Sequence, residues 1–530
     1  MSGRIKKLLP LLLSLSFGII SWMGWPERGF APLLFFAWVP LLMLEDLCFH
    51  QKRKWFTLFA YAYSGFFLWN LLTTWWIYNS SVFGAAIAVV CNSLFMSLVF
   101  LLFHFTRKKT GDAMAYPALI GYWISFEYLH LNWDLSWPWL TLGNGFASYY
   151  KWIQWYEFTG VLGGSLWTLS VNIMLFRLLF YSGVEVRRPK AFLIALVLIV
   201  PFAVSYFQYS LYHEKEYPVK IVVVQPNIDP YNEKFSGMSG REQLTKLLQL
   251  AASKTDSSTD FLVAPETALP SGIWEEELKS HPEINLLRSY MKAFPNLTVI
   301  IGASTYKQYL PGEKISETAR KFTRSEGYYD SYNTALQLDN FSDSIGLYHK
   351  SKLVPGVEKM PYPEIFGFLE KFSIDLGGMS GSLGTEKEPK VFSSMKSVKA
   401  APVICYESVY GDYLADYVKK GAELIFIITN DGWWGNTPGH RQHLVYGRLR
   451  AIEMRRSIAR SANTGISCFI NQRGDIQQLT AYWEEDVIEQ TINTNRKVTF
   501  YARYGDFVAK AALIFSIAAL LLSFIKRKNQ

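Results

Sequence analysis

Eight apolar stretches constrain this chain more than any other feature of its sequence. They run over 7–23, 29–48, 56–78, 83–106, 114–131, 159–182, 191–210 and 507–525. Each is near the ~20 residues that an α-helix needs to cross ~30 Å of hydrocarbon. Backbone polar groups in lipid must be satisfied within the segment, so a helical bundle of about eight spans is expected. The first and fifth stretches are the weakest. The first follows Arg4, Lys6 and Lys7 and could pass for a signal peptide. No A-x-A-like cleavage site follows it, so it reads as an uncleaved helix.

Residues 217–504 contain no run of that length. This dilution explains a mean hydropathy of only +0.09 in a chain with 50% apolar and 18% charged residues. The composition excludes a disordered chain, a disulfide scaffold and a coiled coil. Cys48, Cys91, Cys405 and Cys468 are too few for a disulfide framework, and no CxxC or metal-type Cys/His cluster occurs. Neither a metal nor a cofactor is expected. The net charge of +9 comes with five basic clusters, at Arg4/Lys6/Lys7, Lys52/Arg53/Lys54, Arg107/Lys108/Lys109, Arg187/Arg188/Lys190 and Lys526/Arg527/Lys528. They precede the first stretch and follow the second, fourth, sixth and eighth. That alternation predicts a multi-pass protein of the bacterial inner membrane with both termini cytoplasmic and residues 217–504 periplasmic. It also accounts for much of the basic excess without a nucleic-acid partner. The expected division is a membrane domain over 1–216, a soluble domain over 217–504, and a closing helix with a basic tail over 505–530.

Within the soluble part, short Val/Ile-rich runs alternate with amphipathic stretches. Strands are expected at 219–224, 261–264, 298–302, 334–338, 403–405, 424–429, 457–462 and 466–470, and helices near 239–253, 274–293, 408–420 and 440–456. Nearly all-apolar strands suit a sheet buried on both faces, and the alternation predicts a layered α/β domain.

Three strand ends carry candidate chemistry. Phe261-Leu262-Val263-Ala264 runs into Pro265-Glu266-Thr267. A strand pair leads to Tyr348-His349-Lys350. Ala401-Pro402-Val403-Ile404 delivers Cys405 ahead of a helix, a setting that lowers a thiol pKa and presents N–H groups to an oxyanion. Taken singly, the glutamate reads as a turn carboxylate, the lysine as a solvated end and the cysteine as an inert core thiol. Together they form a coherent set: a base for the thiol proton, a cation for a tetrahedral anion, and a nucleophile that forms a thioester. Cys468 lies inside a strand and is assigned to the core.

These motifs resemble the Glu-Lys-Cys triad of the nitrilase (carbon–nitrogen hydrolase) superfamily, an αββα sandwich. With the membrane frame, the whole chain resembles the bacterial apolipoprotein N-acyltransferases. The resemblance rests on Gln225-Pro226-Asn227, Pro265-Glu266-Thr267, Lys350 with Leu353-Val354-Pro355, Cys405-Tyr406-Glu407 and Asn430-Asp431-Gly432-Trp433-Trp434-Gly435, with support from Arg450-Ala451-Ile452-Glu453 and the 460–465 run. It implies that Glu266 is the general base, Lys350 the oxyanion-side cation and Cys405 the nucleophile. Glu358 corresponds to a second functional glutamate, and Tyr406, Glu407 and Trp433 to further active-site positions. Two departures stand out: Pro355-Gly356-Val357-Glu358 replaces the usual Pro-Phe-Gly-Glu, and Ala264-Pro265-Glu266 replaces Trp-Pro-Glu.

The implied reaction is ping-pong. A phospholipid donates an acyl chain to Cys405, and the α-amine of a diacylglyceryl-modified apolipoprotein accepts it. The resemblance implies no metal or nucleotide, and a monomer is expected. A membrane-anchored amidase using the same triad is the alternative enzyme, and a polytopic binding or transport protein the non-enzymatic one. Three features carry two readings each. The apolar 361–369 stretch is a lipid-admitting lid or a core helix. Trp137-Pro138-Trp139 is an interface anchor or a lipid entry. Glu127 and His130 are functional groups or residents of a wet interface.

Overall fold

Helices are the expected outcome for apolar runs with no strand partners, and all eight stretches are helical. The computed structural model describes residues 3–27, 29–362, 364 and 382–525. Two compact units emerge. One comprises Met1–Tyr78, Val82–Leu211 and Tyr504–Gln530, and the other Asn79–Ser81 and Tyr212–Arg503.

The first unit contains α1 (Gly3–Met23), a 3₁₀ turn (Ala31–Phe35) leading into α2 (Val39–His50), α3 (Trp55–Thr74), α4 (Val82–Thr110), α5 (Asp112–His130), α6 (Tyr156–Tyr181) and α7 (Val184–Leu211). Among the described residues, five helical stretches are long and apolar enough to cross a membrane: Ala31–His50, Val82–Thr110, Tyr156–Tyr181, Arg187–Leu211 and Phe507–Ile525. The stretches expected at 56–78 and 114–131 are helical without meeting that measure, and Lys7–Met23 is a shorter apolar helix. Phe192, Ile199, Phe207 and Leu211 on α7 are exposed, an apolar surface that suits lipid rather than water.

Several buried charged and polar side chains inside this unit are paired. Arg107 is buried and bonds Glu45 at 2.5 Å, Asp46 at 2.9 Å and Asp112 at 2.8 Å, so one member of the third basic cluster is an internal ion-pair partner. Glu127 accepts from Trp123 Nε1 and Leu142 N, and His130 meets Asn92 Oδ1 and Trp133 Nε1. Both are buried members of helix packing rather than residents of a wet interface. Trp139 is also buried, edge-on to Trp76 at 4.9 Å, which departs from an interface anchor.

The second unit is built on two sheets. The first holds β1 (Pro218–Gln225), β2 (Phe261–Val263), β3 (Leu269–Trp274), β4 (Thr298–Gln308), β5 (Arg320–Lys321), β6 (Tyr328–Asp339), β7 (Gly346–His349) and, late in the chain, β14 (Asp486–Asn493). Its order is β14-β1-β2-β4-β6-β5, with β3 beside β4 and β7 beside β6. The second sheet runs β13-β12-β11-β10-β9-β8, from β8 (Phe392–Ser393), β9 (Lys399–Ile404), β10 (Leu424–Thr429), β11 (Ser457–Ala462), β12 (Cys468–Ile470) and β13 (Ile476–Gln477). The central strands β1, β2 and β4 are mutually parallel, as are β9, β10 and β11.

Strand alternation explains the layers. Val222, Val224, Leu262, Val299 and Ile301 face α8 (Gly240–Ala252) and α9 (Pro282–Met291), where Leu244, Leu247, Ile284 and Leu287 meet them. The opposite face turns to the second sheet, with Phe261 edge-on to Phe426 at 5.0 Å. Helices α10 (Gly411–Lys419) and α11 (Pro438–Met454) cover the second sheet. The expected αββα order is therefore present in this unit. The helix expected over 274–293 is shorter, because Trp274 ends β3 and Pro282 sets a new helical start. The short helix α12 (Phe500–Tyr504) follows, and the unit ends within it at Arg503. The last helix among the described residues is α13 (Phe507–Ile525), which packs on α5 through Ala118, Tyr122 and Ala519 and a Ser125–Ser516 hydrogen bond of 3.0 Å. Small residues allow such close helix approach.

Gln225-Pro226-Asn227 ties the sheets together. The Gln225 amide donates to Ala481 O and Glu484 O at 2.7 Å, and its oxygen accepts from Ser467 N, Ser467 Oγ and Thr480 Oγ1. Asn227 N bonds Asn463 O, and Ser461 Oγ bonds Val224 O. Each buried group left unpaired costs about 1–3 kcal/mol. Gln225→Leu is therefore expected to destabilise this unit by at least about 3 kcal/mol. A melting curve followed by tryptophan fluorescence in detergent reads this; an unchanged midpoint contradicts it.

Candidate active site

Glu266, Lys350 and Cys405 each lie just beyond a strand, at one rim of the second unit. β2 ends at Val263, and Ala264 N still bonds Ile300 O at 2.8 Å. The following turn packs tightly on β4. A Cβ at Gly302 would lie 2.5 Å from Thr267 N and 2.6 Å from Glu266 Cα, so only glycine admits the turn. Lys350 follows β7, and its N–H donates to Asn333 O on β6 at 2.8 Å.

Lys350 is the hub. Its ammonium is buried, 3.0 Å from Glu266 Oε1 and 2.8 Å from Glu358 Oε1. Asn333 Nδ2 bridges the same two oxygens, at 2.7 and 3.1 Å. Burial opposes the lysine charge, but Glu266 and Glu358 outweigh it and hold the ammonium well above the ordinary lysine range. Glu358 reaches Lys350 despite the altered turn: Gly356 takes φ +76°, Glu358 N bonds Val354 O, and Glu358 Oε2 accepts from Val354 N. Glycine adopts that backbone without steric cost.

Cys405 directly follows β9 and begins a 3₁₀ turn, Cys405–Val409. Its φ is +48°, a left-handed conformation that costs a residue with a Cβ roughly 1–2 kcal/mol. Glu407 secures this elbow to the lysine loop. Fully buried, it accepts from Ile404 N at 2.8 Å, Ser351 N at 2.7 Å and Tyr348 Oη at 2.5 Å. Burial pushes its carboxyl up to about 7 against those donors. The sequence predicts a lowered thiol pKa for Cys405, and the structure reverses this. Burial pushes the thiol up, Glu266 adds to the shift, and Lys350 only partly offsets it. The helix that follows is a short 3₁₀ turn, too little dipole to compensate for lost water.

Tyr406 is buried edge-on to Tyr410 at 5.3 Å. Trp433 lies farther along the rim, stacked on Phe235 at 6.2 Å and edge-on to Tyr231. Cys468 is fully buried in β12. Most of the 361–369 stretch lies outside the described residues.

The sequence reading assigned no role to two further groups. Lys234 is buried with its Nζ 3.0 Å from Glu266 O, on the main chain of the glutamate turn. Burial lowers it to about 7, and Glu266 partly opposes that shift. A lysine within a polar loop carries no sequence mark of burial. The second group is Asp431, His443 and Arg460, gathered from three elements beside Cys405. Cys405 Sγ, an Asp431 carboxylate oxygen and a His443 ring nitrogen all lie within 4.8 Å of one another, a spacing that fits a metal ion. The Asp431 carboxylate, however, already receives Arg460 Nη2 and Thr429 Oγ1. Arg460 supplies the positive charge there, so the donor set reads as an ion-pair network.

Comparisons with known proteins agree with this architecture. The carbon–nitrogen hydrolase family matches residues 220–498, and the apolipoprotein N-acyltransferase N-terminal domain matches 17–174. An apolipoprotein N-acyltransferase of Chlorobaculum tepidum is 31% identical over 98% of this chain and 97% of its own length. Those of Geobacter metallireducens and Thermotoga maritima are each 26% identical over 98% of this chain, and over 96% and 95% of their own.

The depressed lysine gives a signed expectation. Between about pH 7 and 10.5 an unfolded Lys234 holds a proton that the folded one lacks, so wild-type stability rises with pH there by up to about 1.4 kcal/mol per unit. Lys234→Met removes this slope. Its stability relative to wild type should be greatest at pH 7 and shrink toward pH 10.5. Parallel melting-temperature profiles for the two proteins would refute a neutral buried lysine.

Proposed function

The chain belongs to the apolipoprotein N-acyltransferase family, and we propose that its acyl transfer runs through Glu266, Lys350 and Cys405. It is an acyltransferase of lipoprotein maturation. The observation that carries the assignment is the convergence of Glu266 and Glu358 on the buried Lys350 ammonium, at the rim where Cys405 follows its strand.

The chemistry follows from those positions. Glu266 takes the Cys405 proton as Sγ attacks the ester carbonyl of a phospholipid. Lys350 and the Tyr406 N–H face the resulting oxyanion. The tetrahedral intermediate collapses, the ester C–O bond breaks, and Glu266 returns the proton to the departing lysophospholipid. The acyl chain remains as a thioester. The α-amine of the diacylglyceryl-cysteine of an apolipoprotein then attacks the same carbonyl. Glu266 accepts the amine proton and passes it to the leaving Cys405 sulfur, and an amide is released. Glu358 orients Lys350, Glu407 holds the elbow, and Trp433 forms an aromatic wall with Phe235. Neither half-reaction needs an oxidant or a nucleotide, since each exchanges one acyl bond for another.

The membrane reading belongs to the same proposal. Eight spans, cytoplasmic termini and a periplasmic catalytic unit fit the alternation of basic clusters, and a single copy of the chain contains the whole triad. A lipid-anchored donor and acceptor account for the apolar helices that flank the catalytic unit in sequence.

The test supplies purified chain in detergent with phospholipid and a diacylglyceryl-cysteine peptide, and follows both products by mass spectrometry. The peptide should gain one acyl chain as lysophospholipid accumulates, with both lost in Cys405→Ala. Glu266→Gln and Lys350→Met should each lower the rate by at least about 10²-fold. Acylation that persists in Cys405→Ala would remove the thioester from the mechanism. Hydrolysis of small amides without acyl transfer would favour a membrane-anchored amidase instead.

A further inference from the structure

The thioester reaction needs a sulfur aimed along one line of attack, and the residue that bears it sits in a strained conformation. Resting on the proposed acyl transfer, we propose that His443, held by Asp431 and Arg460, is a positioning residue that fixes the backbone of Cys405 and thereby the direction of Sγ.

Cys405 has φ +48°, so its carbonyl must be held by something other than strand pairing. Two side chains do so. Ser408 Oγ donates to Cys405 O at 2.7 Å, and His443 Nε2 lies 3.1 Å from the same oxygen. A carbonyl only accepts, so the contact needs a proton on Nε2. Nε2 is also 2.8 Å from Ser408 Oγ, closing a small ring of contacts around the carbonyl. The opposite edge of the imidazole faces the ion pair: Nδ1 lies 3.0 Å from Asp431 Oδ1, to which it donates when it carries a proton, and 3.1 Å from Arg460 Nη2, from which it accepts when it does not. Arg460 also bonds the second oxygen of Asp431 and the carbonyl of Ile466. Thr429 Oγ1 bonds Asp431 Oδ1 at 2.6 Å. Thus the ends of β10 and β11 are connected, through a ring on α11, to the main chain of the nucleophile.

Cost argues for a role beyond packing. Asp431, His443 and Arg460 are all buried, and a buried ion pair is often no more stabilising than apolar side chains of the same volume. This one ends on the nucleophile, with a ring nitrogen and a carboxylate oxygen within 4.8 Å of Sγ. Small errors in the angle of attack are costly in rate, and a nucleophile on a loop needs a second layer of contacts to hold it. The elbow is used twice, first when Sγ attacks the ester and again when the thioester carbonyl meets the amine. A positioning role therefore slows both half-reactions by similar factors and leaves lipid affinity alone, whereas a proton-transfer role would affect them unequally.

The experiment uses the full chain in detergent and compares His443→Ala with His443→Gln, whose amide nitrogen can reach the Nε2 position and donate. Single-turnover thioester formation on Cys405 and its subsequent aminolysis are timed separately. In His443→Ala both should slow by at least about tenfold, with the half-saturating phospholipid concentration within about twofold of wild type; His443→Gln should recover to within about threefold. Alkylation of Cys405 by iodoacetamide, a small untethered reagent that adapts to the direction of the sulfur, should stay within about threefold throughout. Unimpaired His443→Ala, slowing of one half-reaction alone, equal loss in His443→Gln, or a matching loss of alkylation would each overturn the positioning role. If His443→Ala does not fold, Asp431→Asn takes its place, with an expected loss of about threefold or more and an unchanged rate as the refuting result. A wild-type chain that forms no thioester overturns the acyl-transfer reading itself, a different outcome from a wild-type thioester with unimpaired variants.

Discussion

One buried ammonium organises the catalytic unit. Lys350 is withdrawn from water, and an uncompensated charge there would cost several kcal/mol. Glu266 and Glu358 compensate it, and Asn333 holds both carboxylates in place. The requirement reaches far into the fold. Glu266 needs the turn after β2, and that turn needs a glycine at 302. Glu358 needs the left-handed Gly356. Lys350 needs β7 paired to β6, so that its own N–H reaches Asn333. Removing any one of these leaves a charge buried without its partner, which is why residues distant in sequence behave as a single site.

The second sheet contributes Cys405, the proposed nucleophile, under a related constraint. Parallel strands β9, β10 and β11 end at the same rim and release Cys405, Asn430-Asp431 and Asn463 close together. The left-handed Cys405 would relax if its neighbours allowed it. Glu407 prevents this on one side by tying Ile404 to the lysine loop, and the His443 ring closes the other side. The sheets themselves are joined where Gln225 accepts from Ser467 and Asn463 exchanges hydrogen bonds with the main chain of Ile228, so the two halves of the site share one rigid support.

What was legible in the sequence follows from the range of the forces involved. Strands such as Leu424–Thr429 and Ser457–Ala462 are uninterrupted apolar runs, and burial on both faces makes such runs unambiguous. Glu266 and Cys405 stood out because each lies just past such a run, and Lys350 because it follows a strand pair. β14 was missed because its alternating polar residues do not distinguish it from a loop, and it pairs with β1 only through a contact more than 250 residues long. Lys234 and His443 were missed for a different reason. Their importance comes from neighbours on other elements, and nothing local in Asn232-Glu233-Lys234-Phe235 or in the first turns of α11 signals a buried polar group. The thiol shift of Cys405 was misjudged because desolvation, a property of the whole fold, exceeds the local effect of a helix start.

Charge balance links these features to the proposed mechanism. Lys350 carries one positive charge against the two carboxylates of Glu266 and Glu358. The Asp431–Arg460 pair adds no net charge. Ionising Cys405 in that setting would bring a further negative charge into a buried site, and its thiol is accordingly held protonated. Moving the proton from Sγ to Glu266 avoids the problem, because the site keeps the same total charge while the negative charge shifts toward the substrate. Protonation of Glu266 also weakens its hold on Lys350. The ammonium can then favour the oxyanion at the moment that anion forms. In the proposed mechanism the resting enzyme keeps a quiet thiol and assembles its electrostatic stabilisation only as the carbonyl is attacked, so the strong lysine–carboxylate pairing of the ground state is part of the reaction rather than an obstacle to it.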